Sequence, residues 1–284
     1  MRASEANESH PVSPLRPEEF QRISELARRT FGLQLRSGKE EFVAARLRRL
    51  VQRESLGSFE QYYRRVTEDK TGVALAAMID ALATNHTSFL REPDHFAFLR
   101  EQVVPGFKAR PAVDIWSAAC STGEEVWTLA MVLNEAMPGA RVRLFGTDIS
   151  NRALHTAAEA RYSAERCAAL PAHWLWRFMQ PEGQPPAAYR VSTELRRPAS
   201  FQRLNLTGPY GWLRPFPVIF CRNVMIYFDR PVQEMVVQRL TQFLEPGGYL
   251  FVGHAESLAG IDHKMEYLRP AVYRKPARKE AAWS

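Results

Sequence analysis

The sequence is poor in cysteine: Cys120, Cys167 and Cys221 are its three thiols in 284 residues. They lie far apart and form no C-x-x-C pair, which excludes a disulfide framework and a cysteine-based zinc site and fits a reducing compartment. Long apolar runs are missing too. Even the greasy stretch at residues 216–228 is interrupted by Arg222 and Asn223, so no segment reaches the roughly 18 apolar residues of a membrane span. Residues 1–19 hold Glu5, Glu8, His10 and three prolines where a signal peptide would need an apolar core. A cytoplasmic protein with no direct membrane insertion is expected. A G-x-S-x-G elbow is absent, which leaves serine hydrolysis unsupported. His86, His95 and His254 show neither an H-x-x-x-H spacing nor a carboxylate cluster, so no metal site is expected. Internal repeats are absent as well.

What is present is ordinary for a globular chain, with 45% hydrophobic and 24% charged residues. The length suits one large domain or two smaller ones. The 38 Lys and Arg against 31 Asp and Glu leave +7, which predicts an acidic partner without choosing between nucleic acid, an anionic membrane and a carboxylate-rich protein.

Residues 1–15 are expected to be disordered. From residue 16 to 90 apolar positions recur at helical spacing: Phe20, Ile23, Ala27 and Phe31, then Val43, Leu47, Leu50 and Val51, then Leu75, Met78, Ile79 and Leu82. Glycines 32, 38, 57 and 72 punctuate them, predicting an all-α domain of about four helices. On the second helix Arg46, Arg49 and Arg53 share one stripe, with no acidic residue between Ala44 and Arg53. The stripe reads either as a solvated face or as a docking surface for something negative.

After a connecting segment at residues 91–107 the pattern changes. Strands are expected at residues 113–118, 142–147, 218–221 and 249–253, with a Pro246-Gly247-Gly248 turn before the last, and helices at 125–137, 151–160 and 231–244. This alternation predicts an α/β domain over residues 108–274 with a doubly wound, Rossmann-like parallel sheet. Residues 161–198, rich in Trp, Pro and Arg, interrupt it as an inserted subdomain with a strand near 189–191. Residues 275–284 read as a flexible tail.

The first strand leads into Ala118-Ala119-Cys120-Ser121-Thr122-Gly123-Glu124-Glu125, and the second ends in Gly146-Thr147-Asp148. In a doubly wound sheet these points flank the ligand crevice, and an acid about 20 residues past the glycine turn can hold ribose hydroxyls. The loop has one glycine and ends in two carboxylates, which would repel a pyrophosphate but not an adenosine ligand bearing a sulfonium or ammonium. S-adenosyl-L-methionine is favoured over NAD, with a plain turn as the alternative.

Four strings then carry a family likeness: Thr-Asn-His-Thr-Ser-Phe-Leu-Arg-Glu at 84–92, Trp-Ser-Ala-Ala-Cys-Ser-Thr-Gly-Glu-Glu at 116–125, Phe-Cys-Arg-Asn-Val-Met-Ile-Tyr-Phe at 220–228, and Gly-Gly-Tyr-Leu-Phe-Val-Gly-His-Ala-Glu-Ser at 247–257. Together they resemble the CheR-type chemotaxis receptor methyltransferases, over about residues 16–275. The resemblance implies transfer of a methyl group from S-adenosyl-L-methionine to glutamate side chains on cytoplasmic helices of chemoreceptors, leaving S-adenosyl-L-homocysteine. It implies cofactor contacts from Asn85, Thr87 and Arg91, from Glu125 at the methionyl end, from Asp148 at the ribose, from Asn205 and Leu206 near the adenine, and from Arg222 and Asn223 at a strand end. Arg91 and Tyr227 are the implied catalytic pair. In some members the insertion resembles a small sheet that takes a receptor's C-terminal peptide by strand addition. Pro217 and Cys120 depart from the family's frequent Asp and Ala.

Plainer readings stand beside these. Arg91 and Glu92 suit a helix-end ion pair, Asp148 a helix N-cap, Glu125 a first-turn acid, Asn205 a turn and Tyr227 a core aromatic. A nucleic-acid methyltransferase fits the charge, but Arg222-Asn223-Val224-Met225-Ile226-Tyr227 lacks the prolines of base-amino methylating enzymes. A non-catalytic cofactor-binding regulator is the third reading, and intact Arg91, Asp148 and Tyr227 oppose it. A monomer with no nucleic-acid partner is expected.

Overall fold

The computed structural model describes residues 12–211 and 215–277. Residues 1–11 of the expected disordered start and residues 278–284 of the expected tail lie outside the described residues. The chain divides into two compact units, one up to Thr84 and one from Asn85 onward.

The first unit holds four helices, α1 (Pro17–Phe31), α2 (Glu40–Arg53), α3 (Phe59–Glu68) and α4 (Val73–Leu82). Their apolar stripes, including Ile23, Ala27, Val43, Leu47, Val51, Phe59, Tyr62 and Met78, are buried, as the 3.6-residue period requires. Leu75 is the exception in the predicted set, being half-buried. Glu19 is buried as well: Oε2 accepts the Arg16 amide at 2.8 Å and Oε1 the Glu60 amide at 3.1 Å, which joins the start of α1 to α3.

The second unit opens with α5 (Pro93–Phe98) and continues through β1 (Val113–Ala118), α6 (Glu124–Ala136), β2 (Val142–Asp148) and α7 (Asn151–Glu159). The insertion follows: β3 (Arg161–Ser163), α8 (Ala164–Cys167), α9 (Ala172–Phe178), β4 (Met179–Glu182), β5 (Ala188–Val191) and α10 (Thr193–Arg196). Then come β6 (Ala199–Arg203), β7 (Phe216–Cys221), α11 (Arg230–Gln242), β8 (Leu244–Phe251), β9 (Glu266–Arg269) and β10 (Val272–Arg274). The main sheet has the order β6-β2-β1-β7-β8-β10-β9, parallel from β6 to β8. The insertion forms its own antiparallel sheet, β3-β5-β4.

Both faces of the main sheet are covered, so every residue of β1 and β7 is buried. Alternate side chains serve different cores: Val113, Ile115, Val218 and Phe220 pack with α6, and Trp116, Ala118, Ile219 and Cys221 pack with α11. Four strands differ from the sequence expectation. β8 begins at Leu244 and runs through Pro246-Gly247-Gly248, with a register irregularity against β7 between Phe216 and Val218. β6 adds a parallel edge, and β9 and β10 pair antiparallel at the other end. The chain leaves β1 toward β2 and β6, then returns to β7 on the other side of β1. That reversal makes the β1/β7 boundary the switch point, with its crevice outside the strands' carboxyl ends.

Candidate functional site

The loop leaving β1 turns sharply into α6 because three of its residues take left-handed backbone angles: Ala119 at φ 65°, Ser121 at 51° and Gly123 at 93°. For residues with a side chain this costs on the order of 1 kcal/mol or more, and such strain gathers at functional sites. Gly123 is required twice over, since a Cβ there would stand 2.7 Å from Ala157 Cβ and 2.9 Å from Ala157 Cα on α7. Gly123→Ala is expected to destabilise the fold by about 2–4 kcal/mol, read as a lower urea midpoint.

Asp148 ends β2 and is buried. Its Oδ2 accepts the Ser121 amide at 2.8 Å and its Oδ1 the Ser150 amide at 2.9 Å. A carboxylate thus occupies the loop amide that a phosphate would need. The N-cap of α7 is Ser150, whose Oγ accepts the Ala153 amide at 3.1 Å, so the capping role considered for Asp148 belongs to its neighbour. Asn85 Nδ2 donates to Ser150 Oγ at 3.3 Å, which brings the segment before α5 to the end of β2. Ser121 Oγ is buried with no hydrogen-bond partner.

Arg222 follows β7, its side chain 2% exposed. Nη1 donates to Glu125 Oε2 at 2.9 Å, and Nη2 donates to Glu92 Oε2 at 2.9 Å and to the Arg91 carbonyl at 2.5 Å. Asn223 Nδ2 donates to Glu92 Oε1 at 3.1 Å, and Ser117 Oγ donates to Glu125 Oε1 at 2.7 Å. Burial alone would raise the Glu92 carboxyl, but Asn223, Arg222 and the His254 amide outweigh it and hold it down to about 2. Leu90 (φ 54°) and Glu92 (φ 57°) are both left-handed, so Arg91 sits at the apex of a strained turn pinned by Arg222. The simple Arg91–Glu92 pair does not form: Glu92 is taken by Arg222, while Arg91 Nη1 donates to the His86 carbonyl at 2.8 Å. Arg91 and Thr87 are half-buried.

Glu256 is a site residue that sequence reading did not single out. Buried after β8, its carboxylate accepts the amides of Gly253 at 2.6 Å, Asn223 at 2.7 Å, Met225 at 2.6 Å and Ile226 at 3.3 Å. It fixes the turn that carries Asn223 (φ 58°) and leads to Tyr227. A charged residue inside the apolar-flanked string at 247–257 was the available signal. Tyr227 is half-buried against the α11 core. Asn205 makes an Asx turn, its Oδ1 accepting from the Thr207 amide at 3.0 Å and the Thr207 hydroxyl at 2.8 Å, and Leu206 is buried. Burial pushes the Cys120 and Cys221 thiols far up, so neither is a thiolate nucleophile.

The expectation that no carboxylate clusters with the histidines is corrected by the fold. Glu92, His95 and His254, 162 residues apart at the extremes, offer ligand atoms all within 4.8 Å of one another; Glu92 precedes His95 by three residues in the sequence, and the fold adds His254.

The arginine stripe belongs to the first unit. Arg46 Nη1 donates to the Ala81 carbonyl at 3.5 Å with its guanidinium 5.0 Å from the Phe42 ring centre, and Arg53 lies 3.9 Å from Glu54. Arg49 borders a shallow trough on the outer face of α2 with Glu41, Ala44, Ala45, Arg48 and Gln52.

Sequence profiles assign both units. The profile described as "CheR methyltransferase, all-alpha domain" matches residues 18–83, and "CheR methyltransferase, SAM binding domain" matches residues 85–273. Among curated relatives named "Chemotaxis protein methyltransferase", one from Klebsiella aerogenes is 37% identical, covering 90% of this chain and 88% of its own. One from Escherichia coli is 34% identical over 89% of each chain, and one from Borreliella burgdorferi is 32% identical over 91% and 94%. Among the described residues no helix is long and apolar enough to cross a membrane. With a carboxylate-lined crevice at the switch point and both profiles spanning nearly the whole chain, this protein belongs to the CheR family of S-adenosyl-L-methionine-dependent methyltransferases.

Proposed function

We propose that this chain moves a methyl group from S-adenosyl-L-methionine to glutamate side chains on the cytoplasmic helices of chemoreceptors, leaving glutamate methyl esters and S-adenosyl-L-homocysteine. The observation that carries the reading is Arg91: half-buried at the crevice, its backbone gripped by Arg222, and paired with no protein carboxylate among the described residues. A guanidinium so placed is suited to a carboxylate that arrives from outside.

The residues fit the cofactor. Asp148, already taking the loop amide where a pyrophosphate would bind, is suited to ribose hydroxyls, and the unpartnered Ser121 Oγ offers a further polar contact. Glu125 provides negative charge toward the methionyl end, Asn85, Thr87 and Arg91 line the crevice from the segment before α5, and Asn205 and Leu206 lie on the adenine side. Arg222 and Asn223 act by holding Glu92 and Glu125 rather than by a free contact. Bound cofactor supplies an electrophilic methyl on a sulfonium. The protein's task is then alignment. A glutamate with an ordinary pKa near 4.3 is already ionised, so no general base is needed, and Arg91 positions its oxygen. Tyr227 presents a phenol to orient that oxygen and a ring face to pack against positive charge.

Incubation with cofactor and a receptor cytoplasmic fragment should add the mass of CH2 to glutamates, located by mass spectrometry. Modification confined to lysines or to nucleic acid would overturn the reading. The regulator reading predicts cofactor binding with no modified residue.

Two surfaces serve docking. Arg46, Arg49 and Arg53 suit acidic receptor helices, so the triple Arg→Glu variant should raise the KM for receptor about tenfold or more with an unchanged cofactor Kd, because like charges across an interface repel. An unchanged KM sinks the assignment. The β3-β5-β4 sheet exposes β3 and β4 as edges, to which a receptor's C-terminal peptide adds as a strand. The protein acts as a cytoplasmic monomer and takes no nucleic acid.

A further inference from the structure

His95 is 1% exposed, and neither ring nitrogen has a hydrogen-bond partner. A buried polar group left unmade costs about 1–3 kcal/mol, so such an imidazole calls for a ligand. What lies around it is a set of donors. Glu92 is the left-handed residue just before α5, and His95 follows three residues later inside it. His95 Nδ1 is 3.5 Å from Glu92 Oε2. His254, exposed in the loop after β8, lays its ring 4.7 Å from that of His95, centre to centre, and opens the group to solvent.

A ring nitrogen with no hydrogen-bond partner keeps a lone pair for an ion, and Glu92 Oε2 stands 3.5 Å from it. Two carboxylates, Glu92 and Glu125, face the single guanidinium of Arg222.

We propose that Glu92, His95 and His254 form a binding site for a divalent transition-metal ion of the zinc, cobalt and nickel class, with water completing the coordination on the His254 side. Two imidazoles and one carboxylate match the borderline ions, and an oxygen-seeking Mg2+ gains nothing from them. Occupancy draws on Glu92, the carboxylate that Arg222 holds beside Arg91, so the loaded protein transfers methyl groups more slowly.

Metal-free full-length protein is titrated with Co2+ by visible absorption and with Zn2+ by equilibrium dialysis, with Mg2+ in excess. One ion per chain and a d–d band are expected. His254→Ala should weaken binding about tenfold or more while leaving the apo melting temperature in place. His155→Ala, which removes the surface pair with Glu159, should leave affinity unchanged. No saturable binding, or equal affinity in His254→Ala, overturns the site and assigns any bound ion to surface pairs such as His155–Glu159 or His173–Glu135. Zn2+ should slow methyl transfer in the wild type and not in His254→Ala; equal slowing in both overturns the coupling. Binding is read without turnover, so its failure leaves the methyltransferase reading untouched.

Discussion

Arg222→Leu is expected to cost about 3–5 kcal/mol of stability, because removing one partner of a buried ion pair leaves the other charge stranded. Here two charges are stranded. Glu92 and Glu125 are 15% and 12% exposed, and both face the guanidinium at 2.9 Å. The loss should appear as a lower urea midpoint with an unchanged m-value. Arg222→Lys should recover part of it, since an ammonium can reach one carboxylate but cannot span two in a fixed fork. Methyl transfer should disappear with Arg222→Leu even at temperatures where the protein is folded, because the Arg91 carbonyl, held at 2.5 Å, loses its anchor. A fully active, equally stable Arg222→Leu would show that the node is incidental.

Arg91→Ala should behave in the opposite way. Its side chain donates to one backbone carbonyl, that of His86, so stability should change by less than about 1 kcal/mol. Turnover should fall about a hundredfold or more, the scale on which removal of one preorganised charged contact acts. Arg91→Lys should restore some activity, since the charge survives and the bidentate geometry does not. The contrast separates a residue that holds the site from one that acts in it: Arg222 changes both melting and rate, Arg91 the rate alone. Comparable destabilisation by both variants would refute the division.

Local chemistry was legible in the sequence and long-range partnership was not. The helical stripes of α1, α2 and α4, the strands β1, β2 and β7 and the acid at the end of β2 follow from periodicity and from turn residues. β9 escaped because Glu266, Tyr267 and Leu268 are exposed and show no apolar alternation. β8 was misplaced at its start because Pro246-Gly247-Gly248 reads as a turn, while the strand absorbs it with an irregular register. Arg222 stood out as a charge inside a greasy run, but its partners are 97 and 130 residues away, and no local spacing encodes a pairing across the switch point. Glu256 and the Glu92–His95–His254 group were hidden for the same reason. Motif likeness placed Arg91, Asp148 and Arg222 in one site, and the structure adds that Arg222 anchors Glu92, Glu125 and the Arg91 carbonyl.

The central claim is that Arg91 presents a glutamate carboxylate to the cofactor's methyl group. Its most direct test gives wild-type protein and Arg91→Ala methyl-labelled S-adenosyl-L-methionine and receptor-bearing membranes, then treats the product with base. The account predicts label that base releases as volatile methanol in the wild type, because a methyl ester hydrolyses, and almost none from Arg91→Ala at equal cofactor saturation. Base-stable label, or equal release from the two proteins, would contradict it.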